Sequence, residues 1–165
     1  MHRRIVPESF SPPEVVEGDG FTLQILSPAL LARDYEAYSS SVEHLRRTFL
    51  PGKTWPLGVT IEDALIDVCW CLQEYRSASS FSYGVLSHDR SYEIGSFYIW
   101  PSPKVGYDVQ VRCWVRESEL ANGMDEKLYR WGHDWMANHW PFSSFAAPGR
   151  SISFADWDAL EDKPL

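Results

Sequence analysis

The sequence predicts one mixed domain, α/β or α+β, with a twisted, mostly antiparallel sheet of five to six strands and about three helices. Two observations lead to this prediction. Apolar and polar residues alternate strictly in 107–116, which is typical of a strand, and 81–100 contains two further strand-like runs joined by a turn. Apolar residues recur every three or four positions in 31–49 and 124–135, which is typical of amphipathic helices.

The chain has 165 residues, 44% of them hydrophobic, enough for one substantial core. Residues 1–20 are rich in proline and glycine, which predicts an extended N-terminal arm. We expect a single domain over 21–155. Residues 156–165 are acidic and predict a frayed C-terminal tail.

The first strand is predicted from the alternation in 21–26, and Ser27-Pro28 follows as a helix start. The first helix is predicted over 31–49 as one continuous element. Thr60 and Asp63 have the spacing of a capping box, with Asp in place of the preferred Glu, and a second helix follows.

The hairpin at 81–100 and the strand at 107–116 predict an antiparallel meander. Asn122 and Gly123 predict a turn, with Asn122 as N-cap of the third helix and Asp125 at its third position. After Trp140, we expect short strands at 142–145 and 151–154.

The net charge is −8. This charge argues against nucleic acid or an anionic membrane surface as a partner, because both require clustered Lys and Arg. It is compatible with a basic or amine substrate.

The three cysteines cannot pair completely, and Cys69 and Cys71 point to different faces of a predicted helix. A reducing, cytoplasmic setting is therefore expected. No Cys/His spacing is typical of a zinc site, and His133 and His139 are six residues apart, so no metal is expected.

The first residues lack the apolar segment of a secretory signal, and no run of 18 apolar residues predicts a transmembrane helix.

The order of elements, with Ile94-Gly95 in the third strand and a strand–loop–helix after it, resembles the GNAT superfamily of acetyl-CoA-dependent N-acetyltransferases. The similarity covers about residues 21–145. It implies a GNAT-like fold in which the fourth strand diverges from the fifth. It also implies that acetyl-CoA lies in that gap, with its pyrophosphate on the N-terminus of the next helix. By resemblance, such short domains often form homodimers.

The phosphate-binding loop of that superfamily has the pattern Gln/Arg-x-x-Gly-x-Gly/Ala, which falls on residues 120–125 here. Only Gly123 matches, because Leu120 and Asp125 stand at the other two positions. The Asp125 carboxylate would repel phosphate by roughly 3 kcal/mol at about 6 Å. Positive charge from Arg112, Arg116 or Lys127 would offset that repulsion.

The resemblance places the cofactor against the backbone of the fourth strand and the start of the next helix. The cofactor-binding residues implied in this way are Trp114, Val115, Arg116, Asn122, Gly123 and Met124.

Acetyl transfer to an amine needs a base for the ammonium proton and an acid for the leaving thiolate. Asp108 is a candidate base on the fourth strand, although a turn residue after Gly106 is the commoner role. Glu93 is a second candidate base, with a solvated edge carboxylate as its alternative. Tyr98 is a candidate acid, with sheet packing as its alternative.

Two functions from different classes remain open. The chain is either an N-acetyltransferase acting on a small-molecule or peptide amine, or a non-catalytic module of the same fold that has lost tight CoA binding and binds another ligand or a protein partner. The first follows from the order of elements. The second follows from Leu120, Asp125 and a short C-terminus that lacks a Tyr after Tyr129.

Overall fold

The computed structural model describes residues 3–164, which form six strands and five α-helices. The strands are β1 (Val15–Glu17), β2 (Phe21–Ile25), β3 (Phe81–Ser87), β4 (Glu93–Pro101), β5 (Val109–Val115) and β6 (Phe145–Ala146). The helices are α1 (Leu31–Ser39), α2 (Val42–Thr48), α3 (Ile61–Ser77), α4 (Met124–His139) and α5 (Phe154–Ala159).

All six strands form one open sheet, in the order β1-β2-β3-β4-β5-β6. Neighbours from β1 to β5 are antiparallel, and β5 and β6 are parallel. The predicted mixed fold with a mostly antiparallel sheet is therefore confirmed, and β3, β4 and β5 form the predicted meander. The short outer strands limit the sheet at both edges.

The sheet separates two layers of helices because successive strand residues point to opposite faces. Phe97 packs with Leu128 and Met136 of α4 on one face. The next residue, Tyr98, packs on the other face with the layer formed by α1, α2 and α3. The aromatic residues therefore fill both layers.

The predicted first helix is wrong as one continuous element, because α1 and α2 are separate. The Ser40 hydroxyl donates to the Ala37 carbonyl at 2.8 Å, and Ser41 leaves the helical region with φ −135° and ψ 28°. The Ser41 hydroxyl then accepts the Glu117 backbone N–H at 2.8 Å. Serine hydroxyls compete with helical hydrogen bonds in this way.

The capping box at the start of α3 is confirmed. The Asp63 N–H donates to the Thr60 hydroxyl at 3.2 Å, and the Thr60 N–H donates to the Asp63 carboxylate at 3.0 Å. The aspartate therefore performs the role for which glutamate is usually preferred.

The predicted start of the third helix, α4 in the structure, is wrong by one residue. Gly123 is its N-cap, at φ +69°, a left-handed conformation that glycine adopts without strain. Asn122 instead ends a 3₁₀ turn over Glu117–Asn122, and its side chain donates to Glu119. Asp125 is consequently the second helical residue.

The arm over 1–20 contains a strand that the sequence did not predict, β1. The Tyr75 and Tyr83 hydroxyls donate to the carbonyls of Pro12 and Pro13, at 2.7 and 2.8 Å. Phe10 packs on Trp140 with 5.1 Å between ring centroids. The described part of the arm is therefore bound to the domain along its length.

The predicted strand at 151–154 is wrong. The Ser153 hydroxyl accepts the Asp156 N–H at 3.0 Å and caps α5.

The acidic segment is not frayed over its described part, because Lys104 contacts Asp162 at 2.8 Å and the Lys163 N–H donates to Pro103 at 2.7 Å. Within residues 3–164, no helix is long and apolar enough to cross a membrane.

Candidate functional site

The strands β5 and β6 pair over only two residues, Val109 with Phe145 and Gln110 with Ala146. The pairing ends at Gln110 and Ala146, and residues 147–151 form a turn with hydrogen bonds from Arg150 and Ser151 to the Ala147 carbonyl. A cavity of about 280 Å³ lies there, which we call the wedge. It is lined by His44, Thr48, Phe49, Arg112, Cys113, Trp114, Leu120, Asp125, Pro148, Gly149 and Arg150.

Backbone groups of β5 are directed into the wedge. The Arg116 N–H donates to Ile94 of the strand before it, at 2.8 Å. Alternate residues of an antiparallel strand direct their backbone groups to opposite sides. The Cys113 carbonyl therefore points away from β4, and it accepts a hydrogen bond from Arg150 at 3.2 Å.

The N-terminus of α4 borders the same wedge, since Asp125 in its first turn is a lining residue. The first N–H groups of a helix lack intrahelical partners and favour anions. The wedge thus combines an open strand edge with a helix N-terminus.

Arg150 neutralises the carboxylate that the sequence placed at this helix end. It donates to Asp125 from Nη1 at 3.0 Å and from Nη2 at 2.8 Å, and lies 5.1 Å from the Tyr129 ring centroid. Burial alone would lower the pKa of Arg150, but the bonds to Asp125 raise it overall. Repulsion between Asp125 and a phosphate is therefore offset by an adjacent positive charge.

The three cations considered from the sequence have other partners. Arg112 lines the wedge, but its Nε donates to Gln110 at 3.0 Å. Arg116 donates twice to Glu36 of α1, and Lys127 lies 3.4 Å from Asp19. Arg150 was missed because no local pattern links residues 125 and 150.

The predicted cofactor-binding residues divide into two sets. Trp114 lines the wedge, Val115 and Met124 are each next in sequence to a lining residue, and Gly123 is the N-cap of α4. The side chains of Arg116 and Asn122 point elsewhere, towards Glu36 and Glu119.

The candidate base Asp108 lies at the opposite end of β5. Its carboxylate accepts the N–H groups of Ser143 and Ser144, at 2.8 and 3.2 Å, and so connects this strand to the loop before β6. Seven residues of extended strand separate it from Val115, or roughly 20 Å. Neither the wedge nor the aromatic cavity described below is lined by Asp108.

The expectation of a solvated edge carboxylate at Glu93 is wrong, because this side chain is fully buried. It accepts the Ser96 hydroxyl at 3.0 Å and lies beside the Asp34 carboxyl. Burial and the neighbouring Asp34 charge raise the pKa of Glu93 well above its usual range. The surroundings of Glu93 therefore favour its protonated form.

The neighbouring acid is Asp34 of α1, which no sequence pattern singled out. It is only 7% exposed, and burial raises its pKa to about 6 although the interaction with Glu93 opposes that rise. An ionised Asp34 would place a negative charge inside the layer between α1 and the sheet.

A second cavity, of about 300 Å³, lies between α1, α3 and β4. We call it the aromatic cavity. Its aromatic walls are Tyr38, Phe49, Trp55, Trp70, Tyr98 and Trp100, and its acidic residues are Asp34, Asp67 and Glu74.

The two cavities share a wall. Phe49 lines both of them. The Trp114 indole N–H at the wedge donates to the Tyr98 hydroxyl at the aromatic cavity, at 2.9 Å. Burial raises the pKa of Tyr98 well above its usual range, so the hydroxyl keeps its proton. A group bound in one cavity would thus lie one layer of side chains from a group in the other.

Comparison of the sequence with protein-family models and with curated proteins gives no match. Solved structures do match the fold. One is the ribosomal-protein-S5-alanine acetyltransferase of Vibrio fischeri, with a TM-score of 0.59 at 12% identity; the match covers 74% of this chain and 66% of that one. A protein of Bordetella pertussis described as a GNAT-family acetyltransferase matches with a TM-score of 0.54 at 13% identity, over 76% of this chain and 75% of that one.

A third match is RimL, an alpha-N-protein acetyltransferase of ribosomal L7/L12, with a TM-score of 0.55 at 14% identity. It covers 80% of this chain and 70% of that one. This chain spans slightly less than two thirds of the Vibrio fischeri protein. The resemblance drawn from the sequence is confirmed at the level of the fold, which is that of the GNAT acetyltransferases.

Proposed function

We propose that this chain, which has the GNAT fold, is an N-acyltransferase that transfers an acetyl group from acetyl-CoA to an amine. The observation that carries the proposal is the wedge: the pairing of β5 and β6 ends at Gln110, and the cavity beyond it borders the N-terminus of a 16-residue helix. An open strand edge and unpaired helical N–H groups suit an extended amide chain that ends in phosphates.

The residues present fit such a cofactor. The Cys113 carbonyl has a side-chain donor in place of a neighbouring strand, and the wedge contains a partly buried cation, Arg150. Cys113 and Val115 would pair with the pantetheine amides, while the first turn of α4 and Arg150 would hold the phosphates. When bound, acetyl-CoA supplies an activated acetyl thioester.

The roles of acid and base follow from the protonation states. The pKa of Glu93 is raised well above its usual range, which disfavours it as an acceptor of the ammonium proton, whereas the pKa of Asp34 is raised only to about 6. Tyr98 keeps its proton and lies at the wall between the cavities, which suits an acid for the thiolate. Asp108 as base remains a prediction from the sequence.

Calorimetric titration with acetyl-CoA and CoA tests the proposal. We expect wild-type protein to bind both, and a concentration of 100 times Kd to stabilise it by about 2.7 kcal/mol. Arg150→Ala should weaken binding at least tenfold, and Asp125→Asn should strengthen it by releasing the guanidinium. Arg130→Ala, on the exposed side of α4, is the matched control and should change nothing.

A second function is favoured by one observation: Arg150 and Asp125 already occupy the wedge with hydrogen bonds. If this pair only closes a wedge that has lost its ligand, the chain is a non-catalytic module. In that case millimolar acetyl-CoA leaves the melting temperature of the wild-type protein unchanged, and neither Arg150→Ala nor Asp125→Asn binds acetyl-CoA. Release of CoA with any amine would exclude this alternative.

A further inference from the structure

The aromatic cavity has acidic and aromatic walls without any compensating cation. Its lining contains Asp34, Asp67 and Glu74, and none of its lining residues is Lys, Arg or His. Aromatic faces and carboxylates both attract cations. The chemistry of the walls therefore favours a positively charged, partly apolar occupant.

The Asp34 carboxyl is buried and forms no ion pair among the described residues, and its Oδ1 has no hydrogen-bond partner there. The acid beside it is Glu93. An ionised group in such a position is costly unless a cation compensates it. A cation bound in the cavity would supply that compensation.

Tyr38 provides an independent observation. It lies one helical turn after Asp34, lines the same cavity and is only 3% exposed. Its hydroxyl has no hydrogen-bond partner among residues 3–164, which is unusual for a buried tyrosine. A ligand with an N–H donor would satisfy this hydroxyl and the Asp34 carboxylate together.

We propose that the aromatic cavity binds the primary ammonium group of a small amine with an aromatic or apolar body. The ammonium contacts Asp34 and the Tyr38 hydroxyl, and the body packs between Trp55, Trp70 and Trp100. A volume of about 300 Å³ is at the lower end for small-molecule pockets, which run from about 300 to 1,000 Å³. The claim that this amine is the acetyl acceptor rests on the proposed function. The claim that it binds in the cavity does not.

Calorimetry with three probes of one shape tests the binding: 2-phenylethylamine, the neutral 2-phenylethanol and the anionic 3-phenylpropanoate. The titrations contain no CoA. We expect the amine to bind at least tenfold more tightly than the alcohol, and the anion to bind most weakly. Equal affinities for amine and alcohol, or no binding of the amine at 10 mM, would overturn the proposal.

Two isosteric variants separate charge from shape. Asp34→Asn should abolish the preference for the amine over the alcohol. Glu93→Gln should keep amine affinity within threefold, because the surroundings of Glu93 already favour its neutral form. Unchanged preference in Asp34→Asn would contradict the assignment, and circular dichroism establishes that both variants are folded.

Failure of this inference is distinguishable from failure of the proposed function. Amine binding without any binding of acetyl-CoA would retain the cavity assignment and remove the acyltransferase proposal. Binding of acetyl-CoA without amine binding would retain the acyltransferase proposal and remove the cavity assignment.

Discussion

The guanidinium of Arg150 and the carboxylate of Asp125 form a two-bond ion pair in the wall of the wedge, with N–O distances of 3.0 and 2.8 Å. The pair joins the segment after β6 to the first turn of α4. Both side chains are partly buried, at 22% and 37% exposure. Such a pair loses less to solvent screening than a surface pair does.

A double-mutant cycle with Arg150→Gln and Asp125→Asn should give a coupling energy of about 1–2 kcal/mol in urea unfolding. The matched control is the Arg130–Glu126 pair on the same helix, whose side chains are 77% and 61% exposed. That exposed pair should couple by only about 0.3–0.5 kcal/mol. Equal coupling in both pairs would mean that the wedge does not shield its ions.

Asp34→Asn should stabilise the protein near pH 8. Burial raises the folded-state pKa of Asp34 from 3.8 to about 6, so the folded state binds more protons between these values. Ionisation of Asp34 therefore opposes folding as pH rises through 6, and the penalty is absent below its unfolded pKa. Removal of the charge should add about 1–3 kcal/mol to the free energy of unfolding at pH 8.

The advantage of Asp34→Asn should shrink as the pH is lowered towards 4, measured by unfolding at several pH values. Asp89→Asn is the control, and it should change the free energy of unfolding in the opposite direction. Hydrogen bonds from Ser87 and Ser91 lower the pKa of Asp89 to about 2, so its charge stabilises the fold above its unfolded pKa. A pH-independent gain in Asp34→Asn would show that Asp34 is not ionised in the folded protein.

Gly95→Ala should disrupt the pairing of β4 and β5. A Cβ atom at this position would lie 1.9 Å from the Trp114 carbonyl oxygen, a backbone atom that cannot move without breaking the strand pair. We expect a loss above about 4 kcal/mol, seen as loss of the cooperative thermal transition.

Gly84→Ala, on the neighbouring strand β3, is the comparison variant and should cost less stability than Gly95→Ala. Its nearest contacts are side-chain atoms at 3.1 and 3.2 Å, which can shift by a few tenths of an ångström. The loss there should be about 1 kcal/mol. Similar melting temperatures for the two variants would contradict the close approach at Gly95.

Thr60→Ala should destabilise the protein by about 1 kcal/mol because it removes one half of the capping box at the start of α3. Thr54→Ala, in the preceding loop, is the control, since Thr54 has an exposed side chain without a capping bond. The difference in urea midpoint at constant m-value measures the effect. A difference below about 0.3 kcal/mol would mean that the helix end is held by packing.

The fold was predictable where local periodicity and packing agree. Strict alternation in 107–116 and the hairpin at 81–100 specified three strands in order, because a strand buried on one face needs that pattern. The separation of α1 from α2 was not predictable from apolar spacing. It depends on the Ser41 hydroxyl accepting an N–H from Glu117, a residue distant in sequence.

The site was predictable only in its backbone. The strand–loop–helix at 107–139 predicted two walls of the wedge, but the partly buried cation of the wedge is Arg150, in a turn without a pattern of its own. The sequence pattern around Asp34 is likewise that of an ordinary polar residue in a helix. Its proximity to Glu93 arises only when α1 packs on β4.

The contact between Phe10 and Trp140 has a consequence for folding during synthesis. Phe10 is synthesised 130 residues before Trp140, and the two rings lie 5.1 Å apart in the folded domain. The Ile5 N–H likewise bonds the Ala78 carbonyl at 2.9 Å. Since such long-range contacts form slowly, the emerging arm stays without its final partners until almost the whole domain has left the ribosome.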